Sequence, residues 1–279
     1  MGACKICPRQ CKIDRNTENG LCKTKWHPVV SSAVVHRGEE PPISGSRGSG
    51  TVFFSGCNLS CVFCQNHDIS QKGSGTTTTI EELVDIFRSL ECKGVHNINL
   101  VTPSHFVPPI AEAIKRSKKQ GVKVPFIYNT GGYDAIPSLK LMEGLIDIYM
   151  PDMKYGSDVL GQRYSNVTDY FTVATQALQD MYRQVGAPVY ERGIMQKGMF
   201  IRHLVLPNQI GDSIAVLHWI KLILPLAGVS LLAQYSPQFN ANKYKEINRR
   251  LTSDEYRRVV SHFKSIGLNE VYTQQIKVF

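Results

Sequence analysis

Residues 51–64 read TVFFSGCNLSCVFC, an apolar, strand-like run followed directly by three cysteines. Cys57, Cys61 and Cys64 are separated by three and two residues. Thiolates ligate iron–sulfur clusters, and three cysteines on a four-iron cubane either need a distant fourth ligand or leave one iron open. An open position is what a catalytic metal centre requires. The alternative is a zinc loop that takes a fourth ligand elsewhere, such as His67, although zinc sites favour paired cysteine knuckles and a closed tetrahedron.

After about residue 50, apolar β-rich runs alternate with amphipathic helical stretches. The predicted strands are 51–55, 97–102, 125–130, 146–150, 199–206 and 229–235. The predicted helices are 79–91, 108–121, 136–144, 169–186, 213–224 and 253–267. Thr79 and Glu82 have the spacing of a capping box at the start of the first helix. Successive β–α units imply parallel strands and an α/β fold, either a barrel or a doubly wound sheet.

Polar residues follow several of these strands. Catalytic groups in such folds gather at the carboxyl ends of parallel strands, so these residues are the first candidates for a site. The strand ends carry Cys57, then Thr102, Ser104 and His105, then Asn129 and Thr130, then Asp152. A single histidine such as His105 is more often structural than functional.

Residues 1–48 lack the β–α alternation and are predicted to form a loop-like, metal-stapled extension, with the barrel occupying residues 49–279. The extension contains Cys4, Cys7, Cys11 and Cys22, spaced Cys-x2-Cys-x3-Cys-x10-Cys. Four thiolates this close satisfy a structural zinc or an auxiliary iron–sulfur cluster, and the spacing does not decide between them.

The chain contains 42% hydrophobic and 20% charged residues, which excludes a disordered or fibrous protein. Its net charge of +9 comes from lysines and arginines scattered along helices, a pattern typical of solvated faces rather than of a nucleic-acid surface. No apolar run approaches the ~20 residues needed to cross a bilayer, so no membrane contact is expected. The N-terminus lacks the apolar core of a signal peptide, and we expect a cytoplasmic protein.

The cysteine spacing, with Phe63 before the last cysteine and the motif on the loop after the first strand, resembles the signature of the radical S-adenosylmethionine superfamily. Longer blocks are similar to one family within it, the pyruvate formate-lyase activating enzyme-like (PflX-like) family. They are HRGEEPPISGSRGSGTVFFSGCNLSCVFCQNHDIS, HNINLVTPSHFVPPI, PFIYNTGGYD, IDIYMPDMKY and FIRHLVLPN. The resemblance implies a partial (β/α)6 barrel, a [4Fe–4S] cluster on Cys57, Cys61 and Cys64, and S-adenosylmethionine on the open iron.

The resemblance also implies roles around the cosubstrate. Asn129, Thr130, Asp152 and Lys154 occupy positions where related activases carry an Asp-Thr pair and a Met-x-Asp-x-Lys run beside the cosubstrate carboxylate. Asn129 replaces an aspartate, which removes one charge from that family's cation site. The Gly-Gly-Glu turn that receives the methionine amine in the superfamily is absent. The predicted acceptors are therefore the Thr102 or Ser104 hydroxyl or backbone carbonyl oxygens.

Arg202 resembles an activase arginine that binds the cosubstrate, with a buried structural arginine as the alternative. Glu39 and Glu40 would face either the site or solvent.

The resemblance implies a function: reductive cleavage of S-adenosylmethionine to a 5′-deoxyadenosyl radical that abstracts hydrogen, with a protein substrate as in glycyl-radical activation. An electron donor such as flavodoxin or ferredoxin is the further expected partner. One alternative is a radical enzyme acting on a small molecule or peptide. The other is a zinc-dependent module that binds nucleic acid through its basic surface.

Overall fold

The computed structural model describes residues 3–274. Residues 1–2 of the predicted extension and residues 275–279 of the predicted barrel region lie outside the described residues. The strands are β1 (Val29–His36), β2 (Ser49–Phe54), β3 (Thr76–Thr77), β4 (Ile98–Val101), β5 (Phe126–Thr130), β6 (Ile148–Pro151), β7 (Val189–Glu191), β8 (Ile194–Leu204), β9 (Gly228–Leu232) and β10 (Asn269–Thr273). The helices are α1 (Pro41–Ser44), α2 (His67–Ser70), α3 (Ile80–Cys92), α4 (Val107–Lys119), α5 (Ile136–Met142), α6 (Asp158–Ser165), α7 (Tyr170–Val185), α8 (Ile210–Ile223) and α9 (Ser253–Ser265), with a 3-10 turn at Ala241–Lys243.

The strands form a sheet in the order β10-β9-β8-β6-β5-β4-β2-β1-β3, with β7 paired to β8 as a hairpin. From β2 to β10 every neighbouring pair in this order is parallel. Among the described residues the edge strands β10 and β3 do not pair with each other, so the barrel stays open. The predicted α/β fold, a partial barrel of β–α units, is confirmed.

Helices α3, α4, α7 and α9 each bury one apolar stripe in the core. Helix α8 is apolar on most sides and leaves Leu222 exposed. In α3 the stripe consists of Leu83, Val84, Phe87 and Leu90, all buried. The predicted capping box is present: the Glu82 amide donates to the Thr79 hydroxyl, and the Glu82 carboxylate accepts from the Thr79 amide.

Alternate residues of the parallel strands point into the barrel, as the two-residue period of a strand requires. The innermost of them form a small apolar cluster with Ile43. This cluster contains Ile43, Ile127, Ile148, Met150, Met195 and Phe200. Two residues further along the strands the inward positions turn polar: Asn129 on β5, Asp152 after β6 and Arg202 on β8. The barrel is therefore apolar at its base and polar towards the carboxyl ends of its strands.

Part of the N-terminal extension belongs to the barrel. Strand β1 pairs antiparallel with β2, a feature that the sequence does not predict because Ser31 and Ser32 interrupt its apolar run. The chain then turns into the barrel, where Ile43 is fully buried. We call residues 39–44 the plug, since they fill the space at the base of the barrel.

Within the described residues no helix combines the length and the apolar composition needed to cross a membrane.

Candidate active site

A cavity of about 750 Å³ opens at the carboxyl ends of the strands. Cys57, Cys61 and Cys64 line it, on the loop that follows β2. Residues from across the sheet also line it, such as Phe53 on β2 and Tyr272 on the edge strand β10. The three thiols that the sequence singles out are therefore brought together over the barrel interior.

The cysteine loop is held by contacts that leave each thiol at the cavity. Gly56 has a φ of +80°, and a side chain there would collide with the Cys22 carbonyl oxygen. The Cys61 sulfur lies 3.0 Å from the Ser165 hydroxyl, and the Cys64 sulfur lies 3.2 Å from the Ser70 hydroxyl. A glycine is required at position 56 because the turn needs both a left-handed backbone and the absence of Cβ.

The chemistry of these thiols fits a metal cluster. Burial raises the pKa of Cys57 and Cys61, because the thiolate form loses its solvation. A buried thiol ionises when positive charge stands beside it, and metal ligation supplies that charge. The residues present would thus hold an iron–sulfur cluster.

His67 does not line the cavity. Its ring stacks on Phe239 with centroids 5.0 Å apart, and its Nε2 lies 3.5 Å from the Asp68 carboxylate. The arrangement gives no support to His67 as the fourth ligand of a zinc ion held by the three cysteines.

Most of the predicted cosubstrate residues lie on the cavity wall. They are Thr102, Asn129, Thr130, Asp152, Lys154 and Arg202. Thr102 has a φ of +60°, a strained backbone conformation for a β-branched residue and one that concentrates at functional sites. Their roles in binding the cosubstrate remain predictions.

Ser104 lies behind the wall rather than on it. Its hydroxyl is 3.0 Å from the Thr130 hydroxyl, which in turn donates to the buried Asp134 carboxylate at 2.5 Å. The Tyr128 hydroxyl donates to the same carboxylate at 2.8 Å. Burial raises the pKa of Asp134. The Ser104 and Thr130 hydroxyls are thus already engaged with this carboxylate, which the sequence did not single out although it ends the GGYD run.

Asp152 and Lys154 form a partly buried ion pair at the cavity wall, with Nζ and Oδ2 2.5 Å apart. Burial alone would lower the pKa of Lys154, but attraction to Asp152 and to the Cys61 thiolate outweighs it and raises the pKa. Lys154 therefore keeps its positive charge beside the cysteine loop.

Arg202 is held by the plug. Its guanidinium forms ion pairs with Glu39 and Glu40, and the Arg202 Nε donates to Glu40 at 2.9 Å. Burial opposes the charge of Glu40, but Arg202 holds the pKa of that carboxyl below its usual range. All three residues line the cavity, so Glu39 and Glu40 face the site and not bulk solvent. The sequence left this choice open because nothing local shows that the plug enters the barrel.

His105 is structural. Burial lowers its pKa to about 3, and its Nε2 lies 2.8 Å from the Ser55 carbonyl oxygen. It is not among the residues that line the cavity.

The cysteine-rich segment packs directly against the cysteine loop. The Cys57 amide donates to the Cys22 carbonyl at 3.3 Å. Arg9 donates to the carbonyl oxygens of Asn58 and Asn166, at 2.8 and 2.7 Å. Within residues 3–274, no three histidine, cysteine, aspartate or glutamate side chains lie closely enough to hold a single metal ion, and this includes both groups of cysteines. A four-iron cluster does not need such a site, because each thiolate ligates a different iron. The second metal site stays a prediction.

Comparison with known proteins identifies the class. The model of the Radical SAM superfamily matches residues 51–194, more than half of the chain, and the protein belongs to this superfamily. Membership implies a [4Fe–4S] cluster and S-adenosylmethionine.

An uncharacterized protein of Methanocaldococcus jannaschii is 29% identical over 277 residues, covering 96% of this chain and 76% of that protein. The structure of Streptococcus suis SuiB bound to precursor peptide SuiA is similar with a TM-score of 0.56 and 13% identity, covering 78% of this chain. The chain spans 46% of the length of SuiB. Methylornithine synthase (PylB) gives a TM-score of 0.50 and 14% identity over 80% of this chain and 71% of PylB. At these identities the structural likeness shows the fold.

Proposed function

We propose that the protein cleaves S-adenosylmethionine reductively at a [4Fe–4S] cluster and uses the product radical to abstract hydrogen from a substrate. When bound, the cluster would supply the electron that breaks a carbon–sulfur bond of the sulfonium, giving methionine and a 5′-deoxyadenosyl radical. The observation that carries the proposal is the convergence of Cys57, Cys61 and Cys64 on one cavity whose wall holds the charged pair Asp152 and Lys154.

The chain's own residues would bind and orient the cosubstrate. Cys57, Cys61 and Cys64 would ligate three irons, and Lys154 would attract a carboxylate with a charge that its surroundings preserve. Asn129 lines the cavity, and its amide can both donate to and accept from a ligand.

We further propose a protein substrate, glycyl-radical installation and a PflX-like subfamily, on the strength of the sequence blocks quoted above. An electron donor such as flavodoxin or ferredoxin would dock on the basic surface, given the net charge of +9. For the segment of Cys4, Cys7, Cys11 and Cys22 we propose a structural zinc or an auxiliary iron–sulfur cluster. Membership of the superfamily supports radical S-adenosylmethionine chemistry over a zinc-dependent nucleic-acid module.

The first test is anaerobic reconstitution followed by metal and sulfide analysis and mass spectrometry for 5′-deoxyadenosine. We expect about four irons and four sulfides per chain, or about eight with a second cluster. Cys57→Ala, Cys61→Ala and Cys64→Ala should each abolish 5′-deoxyadenosine formation, whereas Cys92→Ala, at an exposed thiol outside both clusters, should retain it. Zinc without iron, or cleavage retained in any of the three variants, would contradict the proposal.

A further inference from the structure

The inner end of the cavity carries two carboxylates, Glu39 and Glu40, to which the proposed reaction assigns no role, together with Arg202. Glu39 and Glu40 come from the plug and Arg202 from β8, and their side chains are 10%, 3% and 13% exposed. Charged groups so well buried are normally paired one to one, because desolvating an unpaired charge is costly. The pairing here is unequal.

Glu40 takes most of the guanidinium. It accepts from both Nε and one terminal nitrogen of Arg202, and the Ser230 hydroxyl donates to it at 2.6 Å. Glu39 shares that same terminal nitrogen. Its other oxygen accepts from the Asn99 side-chain amide at 3.0 Å. Arg202 and Glu40 therefore form the complete bidentate pair, and Glu39 is a second carboxylate on one cation.

No other cation of the described cavity wall compensates Glu39. Lys154 is paired with Asp152 at 2.5 Å. Arg37 also lines the cavity, but it is exposed, its guanidinium donates to the carbonyl oxygen of Ser46, and it forms no ion pair with Glu39. The paired group of Glu39, Glu40 and Arg202 therefore carries two carboxylates on one guanidinium.

A second observation points to a hydrogen-bond donor in the same place. Asn99 is fully buried, and its side-chain oxygen has no hydrogen-bond partner. Asn99 lies just behind the cavity lining: it shares the inward face of β4 with Val101, and its amide bonds Glu39, and both of these residues line the cavity. A buried acceptor without a partner costs free energy that a ligand's N–H group would recover.

We infer that the inner end of the cavity binds a cationic nitrogen group of the substrate, an ammonium or guanidinium, through Glu39 and the Asn99 side-chain oxygen. The inference rests on the proposed function and specifies its substrate class. Such a group supplies a positive charge to balance Glu39 and an N–H donor for the Asn99 side-chain oxygen. It is present on a lysine or arginine side chain of a protein and on a free amine or guanidine.

The test compares two probes of the same shape, n-butylguanidinium and neutral n-butylurea, by calorimetry on the anaerobically reconstituted protein saturated with S-adenosylmethionine. Reductant is omitted, so no turnover occurs. We expect n-butylguanidinium to bind about tenfold tighter or better, as one charge-assisted contact requires. Glu39→Gln keeps an acceptor for Asn99 but removes the charge, and should reduce the preference to within about threefold. The control Glu143→Gln removes an exposed carboxylate paired with Arg183 and should leave the preference unchanged.

Equal binding of the two probes, or a preference that survives in Glu39→Gln, would overturn the inference. If Glu39→Gln does not fold or loses iron, the wild-type comparison of the two probes still decides. A short peptide with an internal arginine distinguishes the sources: tighter binding than n-butylguanidinium indicates a protein side chain, and exclusion of the peptide indicates a free small molecule. Formation of 5′-deoxyadenosine by the wild type is measured separately, so failure of the reaction and failure of the subsite are distinguishable.

Discussion

Replacement of Asp152 by asparagine removes the partner of Lys154 and leaves a partly buried ammonium without a carboxylate in the cavity wall. Breaking a buried ion pair from one side costs about 3–5 kcal/mol. Here Lys154 and Asp152 retain 20% and 31% side-chain exposure, so water in the cavity offsets part of that cost. We expect Asp152→Asn to lower the free energy of unfolding by about 2–3 kcal/mol.

The assay is urea unfolding of the anaerobically reconstituted protein, followed by circular dichroism. The double variant Asp152→Asn/Lys154→Met removes the stranded charge as well, and should return to within about 1 kcal/mol of the wild type. Asp254→Asn is the surface control, since its pair with Arg257 is highly exposed, and should change stability by less than about 1 kcal/mol. If the single and double variants are equally destabilised, the cost does not arise from an unpaired Lys154 and the reasoning is refuted.

Two further predictions concern stability. Burial raises the pKa of Asp212 to about 6 from an ordinary value of 3.8, so the folded chain holds this proton more tightly than the unfolded chain. Asp212 therefore stabilises the folded chain increasingly as the pH falls from about 7 to 4, by up to about 3 kcal/mol. Asp212→Asn should remove this part of the dependence of the unfolding free energy on pH, measured by urea unfolding across this range. An unchanged pH dependence would contradict the prediction. Ile43→Ala should lower the free energy of unfolding by about 2–5 kcal/mol, because this side chain is fully buried at the base of the barrel. Ile223→Ala, at a 40% exposed site, should lower it by less than about 1 kcal/mol. Equal losses of stability in urea unfolding would show that the plug contributes no core packing.

The barrel was predictable because its signals are local. Each buried strand is a short apolar run, and each covering helix repeats its apolar residues at the helical period. The predicted strand 125–130 and helix 253–267 are observed as Phe126–Thr130 and Ser253–Ser265. Short elements were not predicted. Helix α1 has four residues and β3 has two, which is too few for a repeat of apolar residues to be recognised.

The site was predictable to the extent that its residues follow strands. Cys57 and Asp152 lie at carboxyl ends of parallel strands, and those ends meet at one edge of the sheet. The partners of Arg202 were not predictable, because Glu40 lies 162 residues away and no periodic pattern links the two. Asp134 was missed for a related reason: its function as an acceptor for Thr130 depends on how a turn folds back beneath the wall.

The plug also constrains the order in which the molecule is assembled. Its carboxylates leave the ribosome early, yet the Ser230 hydroxyl that binds Glu40 lies 190 residues downstream. Contacts with such large sequence separations form slowly, because a long loop must close before they contribute. The plug therefore cannot form all of its native contacts until β9 has been synthesised. The wall of the cavity is completed late in folding for the same reason.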